Sequence, residues 1–148
     1  MKRYLLDTTP MTALLGGHPA VASLVAPWMR DHSIATSALV YAEVVEGLKG
    51  RANFDERHRE LHVLLGEISP YFLTFPILER YADLRRQMRR PHGSGLIGDI
   101  DSLIAATALD RGVTVVTADS DFLRVPGLDI LLLDRRTLSP MASMDIPE

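Results

Sequence analysis

The stretch VTVVTA, residues 113–118, constrains the fold more than any other. Five of its six residues are β-branched and none is charged. Such a run belongs in a strand covered on both faces, as in the centre of a parallel sheet. The segment before it, DSLIAATALDRG (101–112), is apolar nearly all round and ends on a glycine. That pattern predicts a buried helix with a glycine stop.

The rest of the chain repeats the alternation. RYLLD (3–7), SIAT (33–36), YFLTFP (71–76) and DILLL (129–133) read as further short strands. Helices are expected over 9–17, with Pro10 in the first turn, and over 19–31, with Pro27 as a kink site. Three more are expected over 37–50, capped by Ser37, over 53–68, starting at Asn53, and over 77–90. A glycine-rich loop, PHGSGLIG (91–98), leads into the buried helix. Strands alternating with helices imply a parallel sheet, right-handed crossovers and helices on both faces. The expectation is an α/β three-layer sandwich with four to five strands, built as one domain over 1–135 with a polar, loose tail over 136–148.

Composition narrows the function classes. With 148 residues and 47% hydrophobic side chains, a single domain can bury a sizeable core. No cysteine is present, so disulfide frameworks and thiolate metal sites are excluded. No run approaches the roughly 20 apolar residues of a membrane span, and the apolar run before Asp7 is too short for a signal-peptide core. A cytoplasmic location is therefore expected. The net charge of −3 argues against a protein that is basic in bulk. The basic residues are nevertheless unevenly placed. Only Lys2 and Lys49 are lysines, while Arg80, Arg85, Arg86, Arg89 and Arg90 crowd one segment.

The topology gives the acids their meaning. In an open parallel sheet, ligands bind beyond the carboxyl ends of the strands. Asp7 closes the first strand and Asp119 follows the 113–118 strand. A crossover helix runs antiparallel to the strand it feeds, so the helix beginning near Asp101 starts at the same edge. The helix after SIAT starts there too, with Glu43 less than two turns inside it. Asp7, Glu43, Asp101 and Asp119 thus converge, with Asp99 and Asp121 close by. Like charges this close need protonation or a cation. An oxygen-only set suits Mg²⁺ or Mn²⁺, and such ions activate water and stabilise the leaving oxygen of a phosphodiester. The positive ends of the helix dipoles favour ionised Asp101 and Asp119.

Each acid also has an ordinary structural role. Asp99 or Asp101 can cap its helix, and Asp119 or Asp121 the turn before Phe122. One cap is needed in each place, so one acid of each pair is left over. Asp101 is favoured as the ligand because it begins a face continuing through Ala105 and Ala108. Asp7 is harder to explain as structural, since a carboxylate at the end of a buried strand is costly unless paired, and Thr8 and Thr9 can orient it. Glu43 lies opposite the apolar stripe Tyr41, Val44, Val45 and Leu48, where a solvated glutamate is the plain expectation. Gly47, one turn on, costs about 1 kcal/mol in a helix interior and marks a place of close approach. His58 and His62 have i, i+4 spacing, but HRELH lacks the glutamate of the metalloprotease motif, and a solvated helix face is expected. Trp28 reads as a packing anchor. Arg85, Arg86, Arg89 and Arg90, beside the glycine-rich loop, read as a candidate phosphate-backbone contact.

The stretches YLLDTTPMTALL, TSALVYAEVVEGL, IGDIDSLIAATAL and VTVVTADSDFLRVPGL, in this order and spacing, resemble the four motif regions of PIN-domain nucleases. The match is to the short VapC-type toxins and spans Tyr4 to about Leu133. Each motif alone is weak, and the ordered set is specific. The resemblance implies a metal-dependent endoribonuclease that cleaves RNA. It also implies a cognate antitoxin that inserts a segment into the acidic groove, and a homodimer with an interface on the apolar helices of the first half. Carried over by position, the acidic set is Asp7 in LDTT, Glu43 in AE, Asp101 before SLIAA and Asp119 in TADSDF, with Thr117 as the accompanying hydroxyl. Proline is frequent in relatives where this chain has Asp99, which leaves open which of Asp99 and Asp101 touches the metal; Asp121 raises the same question beside Asp119. Thr8, Asp99, Thr117 and Asp121 stand as partners behind the ligands.

Three rival readings remain in view. A receiver-like or dehalogenase-like phosphotransfer domain also places an aspartate after its first strand, but it needs a downstream lysine, and none follows Lys49. A PIN-domain nuclease of RNA maturation or decay is disfavoured by the small size. A non-catalytic binding module is disfavoured by the complete acidic set, which costs stability without a cation.

Overall fold

Five short strands form one parallel sheet: β1 (Tyr4–Leu6), β2 (Ile34–Ser37), β3 (Ser69–Tyr71), β4 (Thr114–Thr117) and β5 (Ile130–Leu132). The strand order is β3-β2-β1-β4-β5. This is a computed structural model of the chain and describes residues 2–141. All four residues of β4 are buried, as their β-branched run requires. β1 lies beside it, with Leu5 opposite Val115 and Leu6 opposite Val116. The direction of strand progression reverses at this pair, because β2 and β3 extend to one side and β5 to the other.

Six α-helices cover the sheet among the described residues: α1 (Thr8–Leu15), α2 (Pro19–Arg30), α3 (Ala38–Leu48), α4 (Phe54–Leu65), α5 (Phe75–Met88) and α6 (Asp99–Arg111). α1 packs on α2, α3 and α4, while α5 packs on α6. Right-handed crossovers explain the division, since the connections running outward from β1 to β3 and the return from β3 to β4 fall on opposite faces. Leu5, Leu6, Leu61, Ile104, Ala105, Val115, Val116 and Phe122 are among the fully buried apolar residues.

Local chemistry sets the boundaries. Ser37 caps α3 by accepting a hydrogen bond from the Leu39 amide at 3.1 Å. Gly112, at φ +64°, stops α6. α2 runs unbroken through Pro27. Tyr4 and Trp28 stack at 3.8 Å, so Trp28 anchors packing.

Several details differ from the sequence expectation. The strand expected over 71–76 is β3 at 69–71, because Thr74 caps α5 and Pro76 lies in its first turn. Pro70 is tolerated in β3 because this is an edge strand. α6 begins at Asp99 rather than Asp101, with Gly98 at the cap position and no side-chain cap bond. Neither aspartate is therefore an N-cap; both lie in the first helical turn. On α3 the buried line is Val40, Val44 and Leu48, which leaves Tyr41 and Val45 half-buried at its edge. The expected loose tail is held at its start: Leu133 bridges Pro140, and the Met141 amide donates to the Leu132 carbonyl at 2.9 Å. Residues 142–148 of that tail lie outside the described residues. No helix of the described residues is long and apolar enough to cross a membrane.

Candidate active site

The carboxyl ends of β1 and β4 deliver two acids to the point where strand order reverses. Open parallel sheets form their ligand crevice at such a point. Asp7 follows β1; its amide donates to the Val116 carbonyl at 2.9 Å, and its carbonyl accepts from the Met11 amide as α1 begins. The residue is only 7% exposed. At the end of β4, the buried Thr117 hydroxyl donates to Asp7 Oδ2 at 2.7 Å and accepts from the Asp119 amide at 3.0 Å. One hydroxyl thus fixes the first acid and the backbone carrying the fourth.

Asp119 Oδ1 accepts from the Asp121 amide at 2.9 Å, capping the 3-10 turn Ser120–Arg124. Of the pair Asp119 and Asp121, Asp119 is the cap, and its other carboxylate oxygen is left over. Asp121 is exposed and lies 3.8 Å from Arg124. On the α3 side, Glu43 is half-buried rather than solvated, and its Oε1 accepts from the Thr8 hydroxyl at 2.7 Å. Burial pushes the Asp7 carboxyl up from its ordinary range. The Thr117 hydroxyl and the Thr8 amide pull it down, and the charges on Glu43 and Asp119 push it up again.

Asp101 faces the same group. Its carboxyl is pushed up to about 6, chiefly by burial and then by the charges on Asp7, Asp119, Glu43 and Asp121. The helix dipole was expected to keep this group fully ionised, but desolvation and like charge outweigh it. Asp99 turns the other way: its side chain is 74% exposed and lies 2.7 Å from Arg85. The structure therefore brings Asp7, Glu43, Asp101 and Asp119 together and holds Asp99 in an ion pair with α5.

The arginines are divided. Arg85 holds Asp99 and lies over the Tyr81 ring at 5.5 Å. Arg90 donates to the Ser94 carbonyl at 3.3 Å. Arg86 and Arg89 are exposed. A Cβ added at Gly47 meets nothing within 4 Å, so the close approach expected there is not made within the chain. His62 accepts or donates at 3.0 Å to the Tyr41 hydroxyl, and His58 stacks near Phe54 at 5.1 Å. The helix face they share is solvated at His62, as expected, and carries these aromatic contacts as well.

Among the described residues the acidic group lacks internal neutralisation. Among the described residues, no lysine or arginine lies within 4.0 Å of a carboxylate of Asp7, Glu43, Asp101 or Asp119. The donors are all oxygens, which fits a hard divalent cation. No three Asp, Glu or His side chains of the described residues close to direct-ligand spacing around one point. Sequence reasoning passed over Arg135, which lies beside this group; its position just past the end of β5 was the available signal.

The PIN domain family model matches residues 4–128. The chain is 33% identical over 138 residues to the VapC ribonuclease Y4jK of Sinorhizobium fredii, covering 86% of this chain and 94% of that one. Its fold is similar to VapBC2 from Rickettsia felis, bound to a DNA fragment from its promoter, with a TM-score of 0.79 at 24% identity and coverage of 88% and 98%. It is also similar to VapBC-5 from Mycobacterium tuberculosis, of the VapBC family of toxin–antitoxin systems, with a TM-score of 0.66 at 22% identity and coverage of 90% and 100%.

Proposed function

The chain belongs to the PIN-domain family of VapC ribonucleases, and from that premise we propose that it is a metal-dependent endoribonuclease, the toxin of a toxin–antitoxin pair. The observation that carries the reading is the unneutralised group of Asp7, Glu43, Asp101 and Asp119 at the reversal point of the sheet.

Asp7, Asp101 and Asp119, with Glu43, would hold Mg²⁺ or Mn²⁺. When bound, the cation supplies charge stabilisation at the phosphorus and a more acidic water. The chain's own residues do the positioning. Thr117 keeps Asp7 Oδ2 in place, and Thr8 keeps Glu43 turned inward. The Asp121 amide fixes Asp119. Without a cation, burial and like charge hold the Asp101 carboxyl near 6, and a bound cation would keep it ionised. Asp99, tied to Arg85, serves as a brace between α6 and α5. Arg86 and Arg89 remain available to an RNA backbone.

An antitoxin is the expected protein partner, placing a segment in the acidic groove, and its basic side chain would satisfy the same charge deficit as the cation. A second copy of the chain would cover the exposed apolar strip Phe72, Leu73, Phe75 and Leu78 at the β3–α5 connection. The expected dimer surface on the first-half helices offers less, since Val63 is their one strongly exposed large apolar residue among the described residues.

The test is incubation of the purified chain with defined single-stranded RNA in Mg²⁺, and again with the product of any short reading frame found beside its gene. Internal cuts, suppressed by that protein, are expected. Intact RNA in every divalent cation, or no effect of the neighbour, would count against the nuclease or the toxin assignment respectively.

A further inference from the structure

The turn after β5 carries a cation that the nuclease reading does not use. β5 ends at Leu132, on the sheet edge that carries Asp7 and Asp119. The chain that follows is tightly braced. Asp134 Oδ1 accepts from the Arg136 amide at 2.8 Å, the Thr137 amide at 3.0 Å and the Thr137 hydroxyl at 3.3 Å. The Leu138 amide returns to the Asp134 carbonyl at 2.8 Å, and the Asp134 amide donates to the Ser139 carbonyl at 2.9 Å. Leu138 adopts φ +55°, a conformation a leucine accepts only under constraint, and it is buried in the core. A surface turn held this firmly fixes the base of the side chain at its centre, Arg135.

Arg135 Nε donates to the Ala118 carbonyl at 3.3 Å, one residue before Asp119. With Thr9, Ala118 and Asp119, Arg135 lines a cleft of about 360 Å³. Among the described residues no carboxylate lies within 4.0 Å of its guanidinium, Asp119 included. An arginine present only to neutralise the acidic group would collapse onto it as an ion pair. This one is aimed by a backbone carbonyl, and its terminal nitrogens have no partner among the described residues. A planar fork so presented matches two oxygens of a phosphate. It also meets a physical need, because a polyanion approaching four carboxylates is repelled, and a fixed cation at the rim adds to what a bound ion offsets.

We propose that Arg135 binds a backbone phosphate of the RNA strand adjacent to the one being cut, and so registers the strand over Asp7, Glu43, Asp101 and Asp119. The inference rests on the nuclease reading, and it names a substrate contact outside the arginine segment 80–90.

The experiment compares R135Q and R135K with the unsubstituted chain. R135Q removes the charge but keeps an N–H for the Ala118 carbonyl; R135K keeps the charge. Binding of a single-stranded RNA oligonucleotide is measured on the non-cleaving D7N background across salt concentrations, and cleavage on the Asp7 background. R135Q is expected to weaken binding about tenfold, to reduce the slope of log K against log salt by about 0.7, as loss of one phosphate contact does, and to raise KM more than it lowers kcat. R135K is expected to restore the slope. An unchanged slope in R135Q, with cleavage intact in the unsubstituted chain, would overturn the Arg135 contact and leave the nuclease reading standing. Weakened binding that R135K fails to restore in slope would mark a structural role and would also overturn it. Absence of cleavage by the unsubstituted chain would overturn both.

Discussion

Thr117 Oγ1 donates a 2.7 Å hydrogen bond to Asp7 Oδ2, joining residues 110 apart in sequence at the ends of adjacent strands. Both residues are buried, so the hydroxyl is the polar contact that makes a carboxylate tolerable there. Thr117→Val preserves shape and removes the donor. It should cost about 1–3 kcal/mol of stability, because a buried acceptor loses its partner. Cleavage should fall roughly 10–100-fold, as when a residue that orients a metal ligand is lost. Thr117→Ser should recover most of both, read by thermal melting and initial cleavage rates.

Burial of the acidic group, and then repulsion within it, oppose folding in the absence of a cation. Asp101 carries this effect most visibly, with its carboxyl raised to about 6 from an ordinary 3.8. A folded value above the unfolded one means that the folded state binds the extra proton between those two pH values. Metal-free stability should therefore rise as pH falls from 7 toward 4. Asp101→Asn removes the titration, so the difference between the two proteins isolates it. In EDTA at pH 7.5 the variant should melt higher, by up to about 3 °C, since solvent screening of a half-exposed group holds the gain near 1 kcal/mol. The advantage should shrink at pH 5, and the variant should cleave nothing. A variant that melts lower than the parent at pH 7.5 would contradict the electrostatic account.

Asp99 and Asp101 should separate cleanly. Asp99→Asn breaks an exposed ion pair with Arg85 and should cost no more than about 1 kcal/mol. Its cleavage rate should stay within about threefold of the parent, since an exposed pair remote from the reacting groups contributes little. Equal losses in the two asparagine variants, measured at saturating Mg²⁺, would place Asp99 among the ligands instead.

Gly47→Ala tests the open face of α3. Nothing within the chain obstructs a Cβ there, so the substitution should stabilise the free protein by about 1 kcal/mol. If RNA or an inhibitory partner approaches this face, binding should weaken while the melting temperature rises; titration calorimetry beside thermal melting separates the two.

Much of this arrangement was legible in the sequence because it follows from topology. Ending a strand with Asp7 and another with Asp119 puts both at one edge of any parallel sheet, and a crossover helix beginning near Asp101 joins them. The cap assignments were not legible in the same way. Gly98 starts α6 without a side-chain cap, so the need that was to choose between Asp99 and Asp101 does not exist. What separates them is Arg85, on a helix that packs against α6 from elsewhere in the chain. For Glu43 the topology gives its edge and the helical period its face, but neither reveals the Thr8 hydroxyl from which it accepts. Arg135 escaped notice because its setting depends on hydrogen bonds closing the 134–141 segment, which no periodicity records.

The central claim is that the four clustered carboxylates act by holding a divalent cation against RNA. The most direct measurement is the cleavage rate of a defined single-stranded RNA as Mg²⁺ or Mn²⁺ is titrated, for the parent chain and for Asp7→Asn. The account predicts no cleavage in excess EDTA, recovery on adding either ion back, and no cleavage at any metal concentration by an Asp7→Asn protein that still melts cooperatively. Undiminished cleavage in EDTA, or full activity in Asp7→Asn, would contradict it.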